Sequence, residues 1–153
     1  MTAYDKLAAL SIRLPDLAEP AAAFVPFVQT GNLVFVSGHI ALRDGRPWTG
    51  RLGDGVTTDE GKRAAHAVAI DLLATLHAAT GDLDRIRRIV KLLVLVHSAP
   101  TFAEQHLVAN GASELLGAVL GAAASHARSA IGVAQLPFGV CVEIELIAEI
   151  APG

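Results

Sequence analysis

The chain has 153 residues, 52% of them hydrophobic, with a formal charge of -3. That suits one compact domain with a substantial core and argues against disorder. Lys and Arg are scattered, with Arg85, Arg87 and Arg88 the one basic cluster, so no stripe faces a phosphate backbone and nucleic-acid binding is disfavoured. The single cysteine, Cys141, cannot form an internal disulfide; with no signal-peptide pattern and no run of ~18 apolar residues, the cytoplasm is the expected compartment.

Residues 3–12 carry Tyr4, Leu7, Ala8 and Ile12 at helical spacing, ending at Pro15. Pro15, Pro20 and Pro26 make residues 14–26 an extended connector, because proline fixes φ and biases its predecessor away from the helical region. Phe24, Val25, Phe27 and Val28 predict a first strand, Thr30-Gly31-Asn32 a tight turn, and Leu33 to Ser37 a second strand apolar on both faces and so covered on both sides. Ser37-Gly38-His39 ends it, the glycine allowing close backbone approach. Residues 43–56, with Gly45, Gly50, Gly53, Gly55 and Pro47, form a polar loop with one short edge strand near Thr49-Gly50-Arg51.

Thr57-Thr58-Asp59-Glu60 is a capping box, so a helix starts there and runs to about Thr80, stopping at Gly81. Its stripe of Ala65, Val68, Ala69, Leu72, Leu73 and Leu76 is that of a helix lying on a sheet. Ile89 to Val96 is the strongest interior strand. Thr101-Phe102-Ala103-Glu104 repeats the capping-box spacing after Pro100 and predicts a second helix, with Asn110-Gly111 a candidate break and Gly121 its end. Two last strands, His126 to Ala134 and Val140 to Glu149, are expected to form a hairpin joined at Pro137. In the second, Val140, Val142, Ile144, Leu146 and Ala148 alternate with Cys141, Glu143, Glu145 and Glu149. In the first, Arg128 shares a side with Ala130, Gly132 and Ala134, leaving room for a ligand or a partner side chain.

The order is α+β: a mixed sheet with two helices on one face, in a single domain over residues 1–153 whose residues 1–23 are the N-terminal helix and connector. Two helices leave the other sheet face uncovered, and its mixture of aliphatic side chains and glutamates predicts a homo-oligomer packed through it.

Arg128-Ser129, Val133-Ala134-x-Leu136-Pro137 and Val142-Glu143-Ile144-Glu145-x-Ile147-Ala148, together with Gly31-Asn32 and Ser37-Gly38, resemble the signature of the Rid superfamily. These are the reactive intermediate deaminases, also called YjgF-type or L-PSP endoribonuclease-type proteins. The resemblance spans about residues 24–150. It implies a chorismate-mutase-like fold and a homotrimer with clefts between subunits. It further implies hydrolysis of small imines and enamines to a keto acid and ammonia, without a cofactor. Carried across, Arg128 matches the arginine that clamps the substrate carboxylate, and Glu143 the glutamate that positions or deprotonates water. Ser37 and Gly38 match a cleft wall, and Ala130 falls where many relatives have cysteine. The tyrosine near the first strand has only Phe24 and Phe27 as counterparts, and the asparagine of the second helix is matched to His106. The extra N-terminal residues and the His126-Ala127-Arg128-Ser129 form of the motif suggest a separate branch. Phe27, His106 and His126 join Ser37, Gly38 and Ala130 as expected substrate-binding positions.

Blander readings exist for each. Arg128 could form an ion pair with Glu143 or Glu145 across strands. The six histidines lack His-Glu-x-x-His or Cys-x-x-Cys partners, so no metal site is expected. No Gly-x-Ser-x-Gly elbow supports a serine nucleophile, and Cys141 is expected to be a buried structural thiol. Beside the deaminase stand two alternatives: a non-catalytic trimer that binds a small carboxylate, and an endoribonuclease.

Overall fold

The structure is a computed structural model, and it describes every residue except Ala18 and Ala21; these two positions of the expected connector lie outside the described residues. Helix α1 spans Ala3–Ala9, shorter than its apolar spacing suggests, and begins at a capping box of Thr2 and Asp5. Strands β1 (Phe27–Thr30) and β2 (Leu33–Ile40) form an antiparallel hairpin around Gly31. The polar loop folds into two small ribbons instead of one edge strand: β3 (Leu42–Arg43) with β4 (Arg46–Pro47), and β5 (Arg51–Leu52) with β6 (Gly55–Val56). Helix α2 runs Thr58–Thr80, with Thr57 and Glu60 completing the expected box and Gly81 in the left-handed region at its end.

Strand β7 (Ile86–His97) precedes helix α3 (Gln105–Leu120), strand β8 (Ala127–Val133) and strand β9 (Val142–Ile150). The five long strands form one mixed sheet in the order β1-β2-β9-β7-β8, with β7 and β8 parallel and the other pairs antiparallel. The expected hairpin is therefore absent: β7 lies between β8 and β9. The reason is burial, because β9 buries Val142, Ile144, Leu146, Ala148 and Ile150 almost completely along its whole length, which suits an interior position, whereas β8 carries exposed Ile131 and Gly132 before its last residue.

The second capping box is also absent. Glu104 is the N-cap of α3 without any side-chain cap bond, and its carboxylate instead accepts a hydrogen bond from Thr58 Oγ1 at 2.8 Å, tying the starts of the two long helices together. Nor does Asn110-Gly111 break α3. Gly111 is where α3 crosses α2: a Cβ there would lie 1.9 Å from the carbonyl oxygen of Lys62. Gly111→Ala is expected to lower stability by about 1–3 kcal/mol, because a backbone carbonyl cannot rotate aside and the helices must separate, outweighing the ~1 kcal/mol gain in helix propensity. Thermal unfolding of the variant checks this. The segment Gln105–Ala124 is apolar enough by length and composition to cross a bilayer (mean hydropathy 1.4). Here Val108, Ala112, Leu115, Leu116 and Val119 belong to the core.

Helices α2 and α3 cover one sheet face, where Val34, Val36, Leu92, Val94, Val96, Ile144 and Leu146 are buried. The opposite face is open, so β2 and β7 are covered on one side only. Val28, Phe35 and Ile131 are 54%, 41% and 47% exposed, an apolar surface unusual for a face in permanent contact with water.

Candidate active site

Glu143 is on the open face. It is paired with Leu95 of β7, which is paired in turn with Ile131 of β8, and with Ile40 of β2 on its other side; directly opposed residues point the same way. Burial pushes its carboxyl above the usual carboxylate range, and the charge of Glu145 adds to the shift. Between Val36 and His39 strand β2 carries a bulge, because these two residues face Leu146 and Ile144, only two apart on β9. The extra residue brings Gly38 under Glu143: a Cβ on Gly38 would stand 2.7 Å from Glu143 Oε2. The lack of a Cβ lets the carboxylate sit this close, and bulges of this kind re-aim neighbouring groups. Ser37 donates from Oγ to the carbonyl of Val25 at 2.6 Å. With Val28, Phe35, Lys91, Leu93 and Glu145 it lines a depression of about 280 Å³ on the open face. Gly38 and Glu143 are thus brought together, while Ser37 shares the depression with Glu145.

Arg128 is elsewhere. It opposes Leu92, which points to the helices, and its guanidinium reaches α3. Nη1 donates to Asn110 Oδ1 at 2.9 Å and Ser113 Oγ at 3.0 Å, and Nη2 to the carbonyl of His106 at 3.2 Å. All three partners are neutral, and among the described residues Arg128 forms no ion pair. Among the described residues Nε–H and one Nη2–H have no partner, so a charged group with two unused donors is held in a fixed orientation. The ion pair with Glu143 or Glu145 does not form within the chain. Arg128 and Glu143 face opposite ways, with their register partners on β7 three residues apart and β7 itself between them, about 14 Å from Cα to Cα by strand spacings.

Side chains of α3 and Ser98 occupy part of the room beside Arg128. Asn110 and Ser113 occupy the guanidinium's side, and Gln105 and Ser98 crowd Gly132. Ala130 shares the face of Arg128 and packs on the core. Phe27 also packs on the core, opposite Val36 and away from Glu143. His106 contributes its backbone carbonyl to Arg128 while its residue is exposed. The His126 ring, one residue before β8, is held below the usual histidine range by burial, and nearby Arg128 pushes the same way. Cys141 is fully buried and its thiol is pushed up to about 11, chiefly by burial, so it is no nucleophile. Among the described residues no three His, Cys, Asp or Glu side chains cluster as metal ligands.

Residues 16–150 match the family described as Endoribonuclease L-PSP. The chain belongs to that family, within the YjgF/Rid superfamily. It is 48% identical to Protein TCP17 of Trypanosoma cruzi, over 92% of this chain and 89% of that protein. Among solved structures, the L-PSP fold is shared with protein Atu1372 of Agrobacterium tumefaciens, of unknown function, at 45% identity and TM-score 0.90 over 97% and 92% of the two chains. A candidate endoribonuclease from Shewanella oneidensis matches at 27% identity and TM-score 0.94 over 98% and 100%. RidA from an Antarctic Psychrobacter is 28% identical with TM-score 0.58, over 86% and 92%.

Within the L-PSP framework, two residues escaped sequence reasoning: Asn110 and Ser113, which hold Arg128. The expectation of a second-helix asparagine carried the needed signal, since Asn110 lies one helical turn beyond His106. It is the Asn110 side chain, not that of His106, that meets the guanidinium.

Proposed function

We propose that this protein is a hydrolytic deaminase of small reactive imines or enamines bearing a carboxylate, working at clefts between the subunits of a cytoplasmic homotrimer and needing no cofactor. The observation that carries this reading is Arg128: a guanidinium fixed by neutral partners, with donors unused and no ion pair among the described residues, fits a planar carboxylate. Glu143, with its raised pKa beside the Ser37-Gly38 bulge, suits proton exchange near neutral pH. Water would add to the carbon of the protonated C=N group with Glu143 taking one of its protons; that proton then passes to nitrogen, and the C–N bond breaks as the carboxylate takes the hydroxyl proton of the intermediate, leaving ammonia and a keto acid.

One chain cannot bring both groups to one small molecule, since they face opposite ways about 14 Å apart by strand spacings. A second copy packed on the open face would supply the missing half. Two features favour such packing. The exposed aliphatic surface calls for cover, and Nδ1 of His97, paired beside Val133 at the end of β7, is buried with no hydrogen-bond partner among the described residues. The TM-score contrast at near-equal identity supports a branch apart from RidA, which leaves the substrate's side chain open.

Ammonia release from an imino acid generated in situ by an amino-acid oxidase tests the activity, and sedimentation equilibrium tests the assembly. Accelerated release by a trimer is expected. A stable monomer would overturn this reading, and stabilisation of a trimer by small carboxylates with no turnover across a panel of imino acids would replace it with the binding-module one. RNA cleavage that responds to Arg128 and Glu143 substitutions would replace it with the ribonuclease reading, which the net charge of -3 disfavours.

A further inference from the structure

His39 ties the bulge to the helical layer. It pairs with Ile144 on the helix side of the sheet, so its ring passes towards α2. Nδ1 lies 2.7 Å from the carbonyl oxygen of Ser37, and Nε2 lies 2.7 Å from the hydroxyl oxygen of Thr75, which is fully buried. A carbonyl only accepts, so Nδ1 must carry a proton. In the neutral ring Nε2 then accepts from the Thr75 hydroxyl. In the cation it donates, and the Thr75 proton turns to the Asp71 carbonyl at 3.1 Å. Burial holds the Asp71 carboxyl above its usual range, while nearby His39 pulls the other way. The gripped residue, Ser37, is anchored on its other side as well, its amide donating to Pro26 O at 2.9 Å and its hydroxyl to Val25 O at 2.6 Å. The next residue, Gly38, lies directly under the Glu143 carboxylate.

We propose that His39 is a positioning residue: held between Thr75 and the Ser37 carbonyl with Nδ1 protonated, it fixes the bulge so that the Gly38 backbone shields the Glu143 carboxylate on the opposite sheet face. The catalytic consequence rests on the reading of Glu143 given above; the positioning does not.

The experiment combines ¹⁵N NMR of the His39 ring, amide exchange at Gly38, a ¹³C titration of the Glu143 carboxyl, and imine-hydrolysis kinetics. These are run on the native protein and on His39→Phe, His39→Gln and Thr75→Val. A neutral Nδ1–H ring or an imidazolium is expected in the native protein. His39→Phe should speed exchange at Gly38 about ten-fold or more and bring the Glu143 midpoint down towards the ordinary carboxylate range. It should also cut kcat about ten-fold while KM moves less than about two-fold. His39→Gln, whose amide N–H can still reach the Ser37 carbonyl, should recover part of each, and Thr75→Val should weaken each without removing the ring. A neutral Nε2–H ring overturns the proposal, as does an unchanged Gly38 exchange rate or Glu143 midpoint in folded His39→Phe. If the native protein shows no turnover but the NMR and exchange results come out as expected, the deaminase reading fails and the positioning role of His39 stands.

Discussion

Replacing Arg128 with alanine is expected to lower kcat/KM for imine hydrolysis about 10²–10³-fold, the ~3–4 kcal/mol of a charge-assisted, two-pronged contact with a carboxylate. The loss should fall largely on KM if the carboxylate is held equally in ground and transition states, and on kcat if it orients the C=N carbon for attack. Arg128→Lys should recover little. An ammonium, with three donors in all, cannot satisfy Asn110 Oδ1, Ser113 Oγ and the His106 carbonyl and still offer two further donors. The fold should survive, because Arg128 is on an edge strand, only partly buried, and the groups it leaves behind can hydrate. Steady-state kinetics with circular dichroism on the same samples separate the two effects; full activity in a folded alanine variant would sink the carboxylate clamp.

Glu143→Gln is expected to reduce kcat about 10²–10⁴-fold, the usual range for removing a positioned acid–base group, while preserving shape against Gly38. In the native protein the rate should rise with pH through the raised Glu143 value, as the carboxylate needed to take a proton from water forms, and this limb should vanish in the glutamine variant. Stability should change in the opposite sense. A carboxyl whose folded value exceeds its unfolded one contributes stability that is complete below the unfolded value and is lost as pH rises through the folded value. The glutamine variant should therefore lose less stability than the native protein between weakly acidic and neutral pH. Melting curves across that window give the sign, and a native rate flat with pH would remove Glu143 from the proton transfer.

Residues 57–60 show what consecutive residues can reveal. Thr57 and Glu60 cap α2 as their spacing requires, and the same spacing at Thr101 and Glu104 fails because Thr58, 46 positions away in sequence, takes the second glutamate. The alternation of Val142, Ile144, Leu146 and Ala148 was equally legible, since a strand with one buried face must repeat every second residue. Arg128 and Glu143 stood out in the sequence by resemblance. Their separation did not: a short connection through Pro137 suggested neighbouring strands, and only the sheet order puts β7 between them.

The sequence by itself determined the start and stop of α2, the alternating faces of β9, the close approach allowed at Gly38 and the identity of the charged groups. Each follows from the conformational preferences or alternation of a few adjacent residues. Tertiary structure alone decided which strands pair, that Asn110 and Ser113 orient the guanidinium, and that one chain splits the two candidate groups across its sheet. Strand order and helix docking are settled by competition among distant apolar faces for burial, and no short window of residues contains that competition.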